Sequence, residues 1–534
     1  MKLKYLLLPL LGALALTASA APASRPNVVF ILADDLGWSD TTFNHTTNAF
    51  YETPNIERLA ARGMRFTQAY AASPWCSPTR ASIMTGLYPA RIGITTPSCH
   101  MPVPNLVKSL AKITPATQKV VTAVSVNRLQ TNYYTLAKAF KAAGYVTGHF
   151  GKWHLGPEPY SPLQQGFDVD VPHYPGPGPA GSYVGPWRFP AQLHFIGQPG
   201  EHLEDRMASE AIKFIQANKD HPFFLNYWAF SVHAPFDGKK ELVEKYRAKA
   251  AKLPPGSPQR NPVYGAMVQS LDENVGRLLD TLDELKLTDN TIIVFFSDNG
   301  GVHWTAAKEN GADPAQSGIS QIPITSNTPL RAGKATTYEG GTREPCAIIW
   351  PGLTKADTAS DAIIQSTDFF PTFASLLQLP VPDAVKFDGH SLAPLLHGEA
   401  FDRGPTFCHF PHNTPAASGL ASTWVRVGDW KLIRFYALGD HQADKLELYN
   451  LKQDLGETNN LAAAEPARAQ ELNALIDGFL KDSEAVVPVK NPLYDPNAKP
   501  VKGKKAKPSE EAYNRDPYHG DLRLQLEAES EGGI

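Results

Sequence analysis

Five short runs along the chain are largely apolar, with Thr147, His149 and Asn226 as their internal polar residues: Val28 to Ala33, Tyr145 to Phe150, Phe223 to Phe230, Thr291 to Ser297 and Cys346 to Trp350. Runs this short and this rich in Val, Ile and Phe predict strands covered on both faces, because a strand with one wet face alternates apolar and polar positions. Between them the apolar positions take helical spacing. Thr53 is placed to cap a helix that has Pro54 at its first position and Gly63 just past its end, and the run Thr135 to Ala143 stops at Gly144. Tyr264 to Leu285 repeats its apolar residues with helical periodicity. Strands alternating with helices predict an α/β fold: a central, largely parallel sheet flanked by helices.

Pro- and Gly-rich stretches break this rhythm at about 157–190, and Tyr174 to Pro190 is expected to be irregular loop of the kind that lines sites. After about residue 385 the pattern changes. Trp424 to Tyr436 and Lys445 to Leu451 predict antiparallel strands, followed by an Ala/Leu/Glu-rich helix near 464–481. The expected division is a main catalytic domain over 21–384, a smaller C-terminal α+β subdomain with an antiparallel sheet over 385–485, and an extended Lys/Pro/Glu-rich tail over 486–534. No internal repeat is found.

The first twenty residues change the picture of where the chain works. Lys2 and Lys4 precede an apolar run from Tyr5 to Leu16 and then Ala18-Ser19-Ala20, the order of a secretory signal peptide over 1–20. The run is shorter than the ~20 residues that span a bilayer and is interrupted by Pro9. An exported, periplasmic or extracellular protein with no membrane span after cleavage is expected. Of its 534 residues, 42% are hydrophobic and 19% charged, with a net charge of −3, so no global field favours nucleic acid. Four cysteines are too few for a disulfide scaffold; with Cys76 set aside, Cys99, Cys346 and Cys408 allow one bridge or none.

Ligands gather beyond the carboxyl ends of parallel strands, so the polar residues that follow the apolar runs are candidates for chemistry. Val28 to Ala33 runs into Asp34-Asp35, and Thr291 to Ser297 into Asp298-Asn299. Two such pairs at equivalent strand ends can face one cation, and oxygen ligands without His or Cys suit calcium, or alternatively magnesium, rather than zinc. Tyr145 to Phe150 leads to Lys152 and His154, and Phe223 to Phe230 to His233. Acids for a cation and bases for an anion on one rim fit a metal-bound, negatively charged substrate. Each is weak alone: Asp-Asn-Gly is a common turn, and a lone histidine is more often structural.

The most specific signal is Cys76-Ser77-Pro78-Thr79-Arg80, continued to Thr85-Gly86. Ser77 as cap and Pro78 as first turn predict a helix that begins beside Cys76. Its free N–H groups and Arg80 favour an anion there, and this electropositive setting is expected to lower the thiol pKa.

Cys76, Pro78, Thr79, Arg80, Thr85 and Gly86 match the Cys-x-Pro-Ser/Thr-Arg…Thr-Gly motif, and the sequence resembles the formylglycine-dependent type I sulfatases of the alkaline phosphatase superfamily. The resemblance extends over Asp34-Asp35, Gly151 to Gly156, His233-Ala234-Pro235, Asp298-Asn299-Gly300, Lys334 and Glu339 to Pro345, most of the chain from about 25 to 480. It implies an alkaline phosphatase-like fold and a sulfuric ester hydrolase of the arylsulfatase type. It also implies that a maturing enzyme oxidises Cys76 to formylglycine, whose hydrate attacks sulfur. By the same resemblance Asp34, Asp35, Asp298 and Asn299 hold Ca2+ or Mg2+ together with residue 76. Arg80 and His154 hold the modified side chain, and Lys152, His233 and Lys334 grip the sulfate. His233 and Lys334 are both candidates for protonating the departing oxygen.

Tyr174, Tyr183, Trp187 and Trp424 are candidates for stacking on sugar rings, which favours a sulfated carbohydrate over a simple aryl sulfate. Two alternatives keep the same residues: a phosphonate or phosphodiester hydrolase of the same superfamily, and an inactive exported protein that binds sulfated glycans. The first is separated by the ratio of kcat/KM for matched sulfate and phosphate esters; the second is disfavoured because every motif residue is present.

Overall fold

The computed structural model describes residues 25–42, 44, 50–305, 322–414 and 417–498. The expected signal peptide and most of the expected tail lie outside them. Among the described residues no helix is long and apolar enough to cross a membrane.

The main sheet has nine strands. Those that position the site are β1 (Asn27–Ala33), β2 (Met64–Tyr70), β3 (Val146–Gly151), β4 (Val169–Val171), β5 (Phe223–Trp228), β6 (Thr291–Ser297) and β7 (Arg343–Ile349). The order across the sheet is β2-β7-β6-β1-β5-β3-β4, extended beyond β2 by the short strands Thr358–Ser360 and Ile364–Gln365. Every pairing is parallel except the two that β7 makes with β6 and β2. The sheet is therefore largely parallel, with one reversed strand.

Continuous apolar sequence becomes two-sided burial. Along β1, Val29, Ile31 and Ala33 pack into one core with the helices Leu203–Ala217 and Pro262–Glu284. Val28, Phe30 and Leu32 point the other way, into a core with Ala81, Ile83, Leu136, Phe140 and Phe369. Each large side chain so buried contributes about 1.5–3 kcal/mol. This double cover holds the strand ends rigid.

Helix ends match the predicted places but not always the predicted chemistry. Thr135 caps Leu136–Ala142 as expected, its hydroxyl accepting from Lys138 N. Thr53 stands at the start of Pro54–Ala61 without capping it; the free N–H groups of Asn55 and Ile56 donate instead to Asp272, from the helix Pro262–Glu284. Ser77 likewise does not cap: the helix Cys76–Thr85 begins two residues before Pro78, with Trp75 at the cap position, and the Ser77 hydroxyl donates to His154 O.

A second, antiparallel sheet of four strands, Thr406–Phe410, Ser422–Val427, Trp430–Phe435 and Lys445–Asn450, carries the helix Pro466–Asp482 on one face. It is joined to the main sheet by a buried ion cluster. Lys431 Nζ lies 2.9 Å from both Glu339 and Glu457, and Tyr70 OH donates to Glu339 at 2.7 Å. The start of the expected tail is not free of the body, for Val489–Lys490 pairs with Val120–Val121. All four cysteines are buried and free.

Candidate active site

Parallel strands end on one edge of a sheet, and this topology gathers the site. β1 delivers Asp34-Asp35, β6 delivers Asp298-Asn299, β3 delivers Lys152 and His154, and β5 leads to His233. β2 runs the same way and is followed by the helix of Cys76 and Arg80. Because β7 is reversed, the segment before it reaches the same edge and brings Lys334. At the end of β3 only glycine fits: Gly151 has φ +111°, and a Cβ there would stand 1.9 Å from Trp228 O.

The structure brings all ten candidate residues into one buried cluster. Arg80 Nε and Nη2 reach Asp298 Oδ2 at 2.9 and 2.8 Å, and its Nη1 donates to Lys152 O at 2.6 Å. Lys152 Nζ lies 2.5 Å from Asp34 Oδ2, and Lys334 Nζ 2.7 Å from Asp35 Oδ2. His233 Nε2 faces the same Asp35 oxygen at 3.9 Å while its Nδ1 bonds Ala234 O at 2.7 Å. Asn299 Nδ2 donates to Asp35 Oδ1 at 2.8 Å. The Cys76 thiol sits 3.6 Å from His154 Nδ1.

Two buried oxygens are left over. Asp34 Oδ1 and Asn299 Oδ1 have no hydrogen-bond partner. One ligand atom each from Asp34, Cys76 and Asp298 lie within 4.8 Å of one another. Unpartnered buried oxygens are rare, and an all-oxygen set beside residue 76 fits a hard divalent cation. The electrostatics agree: burial, with the Asp34 charge behind it, pushes Asp298 up to about 7. Burial also opposes the charge on Asp35, but Lys334 and then His233 hold it down at about 2.

The expected lowering of the Cys76 pKa is not found. Burial raises it, and the opposing pull of Lys152 and Lys334 does not overcome this. Burial that raises a thiol's pKa lowers the share present as the reactive thiolate.

Three of the four candidate stacking aromatics are core residues. Tyr183 and Trp424 are fully buried and Trp187 nearly so. Tyr183 has a different use: its hydroxyl donates toward Phe230 O at 2.5 Å and His233 O at 3.0 Å, fixing the turn that carries His233. Tyr174 alone is partly open, lining a small cavity with Trp153, Glu158 and His173. Also not foreseen was His100, whose Nδ1 lies 2.9 Å from His154 Nε2. A lone loop histidine carries no spacing signal.

Fold and site together define an enzyme of the α/β class, alkaline phosphatase-like in its sheet, whose strand ends pair carboxylates with cations around one side chain, an arrangement suited to esters of an anion. The chain belongs to the sulfatase family and is a sulfuric ester hydrolase. The Sulfatase model matches residues 26–379, and a second model, N-sulphoglucosamine sulphohydrolase, C-terminal, matches 333–483. N-acetylgalactosamine-6-sulfatase of Rattus norvegicus is 34% identical over 456 residues, 81% of this chain and 77% of its own. Arylsulfatase A of Homo sapiens is 30% identical over 509 residues, 86% of this chain and 89% of its own. The crystal structure of Ps i-CgsB in complex with k-i-k-neocarrahexaose has a TM-score of 0.67 at 26% identity, covering 85% of this chain and 93% of that one.

Proposed function

We propose that this sulfatase removes sulfate from a sulfated carbohydrate outside the cytoplasm, with residue 76 matured to formylglycine and a calcium ion at Asp34, Asp35, Asp298 and Asn299. The observation that carries the reading is the pair of buried oxygens without a hydrogen-bond partner, Asp34 Oδ1 and Asn299 Oδ1, in the cluster that also holds residue 76. When present, the hydrated aldehyde supplies a hydroxyl nucleophile and a second hydroxyl to release sulfate, and the cation makes the first easier to deprotonate.

The chain's own residues do the rest. Arg80, locked by Asp298 and Lys152 O, orients the end of the helix on which residue 76 sits. His154 Nδ1, within reach of the residue 76 side chain, is placed to take or share its proton. Lys152, Lys334 and His233 surround the place where sulfate oxygens would lie, and preorganised charge of this kind is the main stabiliser of a reacting anion. Lys334 and His233 converge on one Asp35 oxygen; because His233 Nδ1 donates to Ala234 O, and burial beside Lys152 and Lys334 pushes the ring down to about 3, its Nε2 carries no proton, and Lys334 is the group of the two with a proton to give the departing oxygen.

The carbohydrate assignment is supported by the relative named N-acetylgalactosamine-6-sulfatase and by the structure bound to neocarrahexaose. The loss of Tyr183, Trp187 and Trp424 to the core leaves only Tyr174 to carry the stacking argument for it. Export is supported by the order of charged, apolar and small residues over 1–20. Mass analysis of the Cys76 peptide from a host with a sulfatase-maturing enzyme should find it ~18 Da lighter, and Cys76→Ala should abolish turnover while leaving the melting temperature near that of the parent. Full turnover with only unmodified thiol sinks the mechanism. Release of sulfate from defined sulfated oligosaccharides, against a matched aryl sulfate, tests the substrate class.

A further inference from the structure

Behind His154 stands a second histidine. His100 Nδ1 lies 2.9 Å from His154 Nε2, and the other nitrogen of His154, Nδ1, is the one that faces Cys76 at 3.6 Å. The two rings are tilted by 36° with centroids 5.1 Å apart, so the contact is edge to edge between nitrogens and not a stack. Two ring nitrogens at this separation hold one hydrogen between them. A histidine that presents one nitrogen to a reacting group is oriented by whatever its other nitrogen bonds.

The loop that carries His100 is built to hold it still. The carbonyls on either side of it, Cys99 O and Met101 O, both accept from the guanidinium of Arg128, which is itself buried. Met101 N closes a turn on Ser98 O at 3.1 Å, the Thr96 and Ser98 hydroxyls lie 2.7 Å apart, and the Cys99 side chain is fully buried. The Pro97 carbonyl bonds the His100 ring as well. The next residue after the Arg128 clamp, Leu129, donates to Leu155 O at 2.8 Å, so one strut ties the His100 loop to the segment bearing His154. On the far side Ser77 Oγ pins His154 O, and His154 is held at φ +54°, a backbone state that a bulky residue keeps only when its surroundings enforce it.

We propose that His100 is a positioning residue for sulfate-ester hydrolysis. Through Nδ1 it fixes the ring plane and the hydrogen of His154, so that His154 Nδ1 stays aimed at the side chain of residue 76. The inference rests on the role given to residue 76 and His154 above. It predicts that the shape of the residue at 100, and specifically a polar atom at the Nδ1 position, matters more than an imidazole as such. Asn places a polar atom where Nδ1 stands. Gln places one further out, near Nε2.

The test compares His100→Ala, His100→Asn and His100→Gln in full-length, matured protein with Cys76→Ala as reference. Expected is a fall in kcat of about 10–100-fold for His100→Ala with KM within threefold, as for loss of a group that orients a catalytic histidine. His100→Asn should recover most of the rate and His100→Gln little of it. Independently of turnover, the imidazole nitrogen NMR signals of His154 in unmatured protein should report one tautomer in the parent and a mixture in His100→Ala. A change confined to KM would show that His100 touches substrate and overturn the proposal, as would Gln rescuing as well as Asn, or a His154 spectrum that ignores the substitution. If Cys76→Ala keeps its activity, the reading of the site fails first; if Cys76→Ala is dead and His100→Ala is unaffected, only this inference fails.

Discussion

Lys334→Ala tests whether distant segments form one anion-binding site. Lys334 reaches the site because β7 is reversed, and its ammonium lies 2.7 Å from Asp35 with a side chain only 12% exposed. Burial opposes its charge, but Asp35 and other nearby charges more than compensate, so its pKa is raised. The lysine is therefore a fixed cation held by an anchored carboxylate. A unit charge about 4 Å from a sulfate oxygen, at an effective dielectric near 20, interacts by ~4 kcal/mol. Removal of one preorganised donor from such a site costs about 2.7–4 kcal/mol, or 10²–10³ in rate. Both routes give a fall in kcat/KM of about two to three orders of magnitude. The assay is steady-state release of sulfate, with melting temperature and bound calcium measured alongside. Lys239→Ala is the control: that ammonium bridges Asp205 and Glu273 at 3.0 and 3.1 Å between helices and touches none of the site residues. It should stay within about threefold of the parent, as surface ion pairs contribute little. A Lys334→Ala enzyme that is folded, metal-loaded and within threefold of the parent would refute the shared-site reasoning.

Asp298→Ala should lose bound calcium and nearly all activity, whereas Asp289→Ala, in the turn Thr288–Asn290 before the same strand, should lose neither; elemental analysis and turnover check both, and zinc as the sole active metal would overturn the assignment. Lys431→Ala takes the ammonium away from Glu457 in a dry interface, while Glu339 keeps Arg343 at 3.4 Å and Arg426 at 3.9 Å, and denaturant unfolding should show a loss of about 3–5 kcal/mol. Adding Glu457→Gln to that variant should recover part of the loss, because the carboxylate that lost its ion-pair partner is then gone. Should Lys431→Ala prove neutral, the ion cluster does not join the two sheets.

Much of this protein is legible in the chain alone, and for a local reason. Strands covered on both faces are mostly apolar, so β1, β6 and β7 stand out as continuous runs and β3 and β5 as runs broken by polar residues only at Thr147, His149 and Asn226, and the polar residues that follow the parallel strands β1, β3, β5 and β6 mark the edge that holds the site. Cys76 to Gly86 is legible because its chemistry needs several residue types at fixed spacing on one helix. What could not be read is set by partners remote in sequence. Asp272 rather than Thr53 caps the helix Pro54–Ala61, from more than two hundred positions away. The sequence around Cys76 suggests a lowered thiol pKa, but the folded core desolvates the sulfur, and that burial outweighs the nearby lysines. Tyr183 and Trp424 look like sugar platforms until the sheets close over them. His100 acquires a role only because Arg128 and Leu129 hold its loop against Leu155 and His154. Spacing determines which groups a segment presents; distance, burial and the reversal of one strand, which exist only after folding, decide which of them meet.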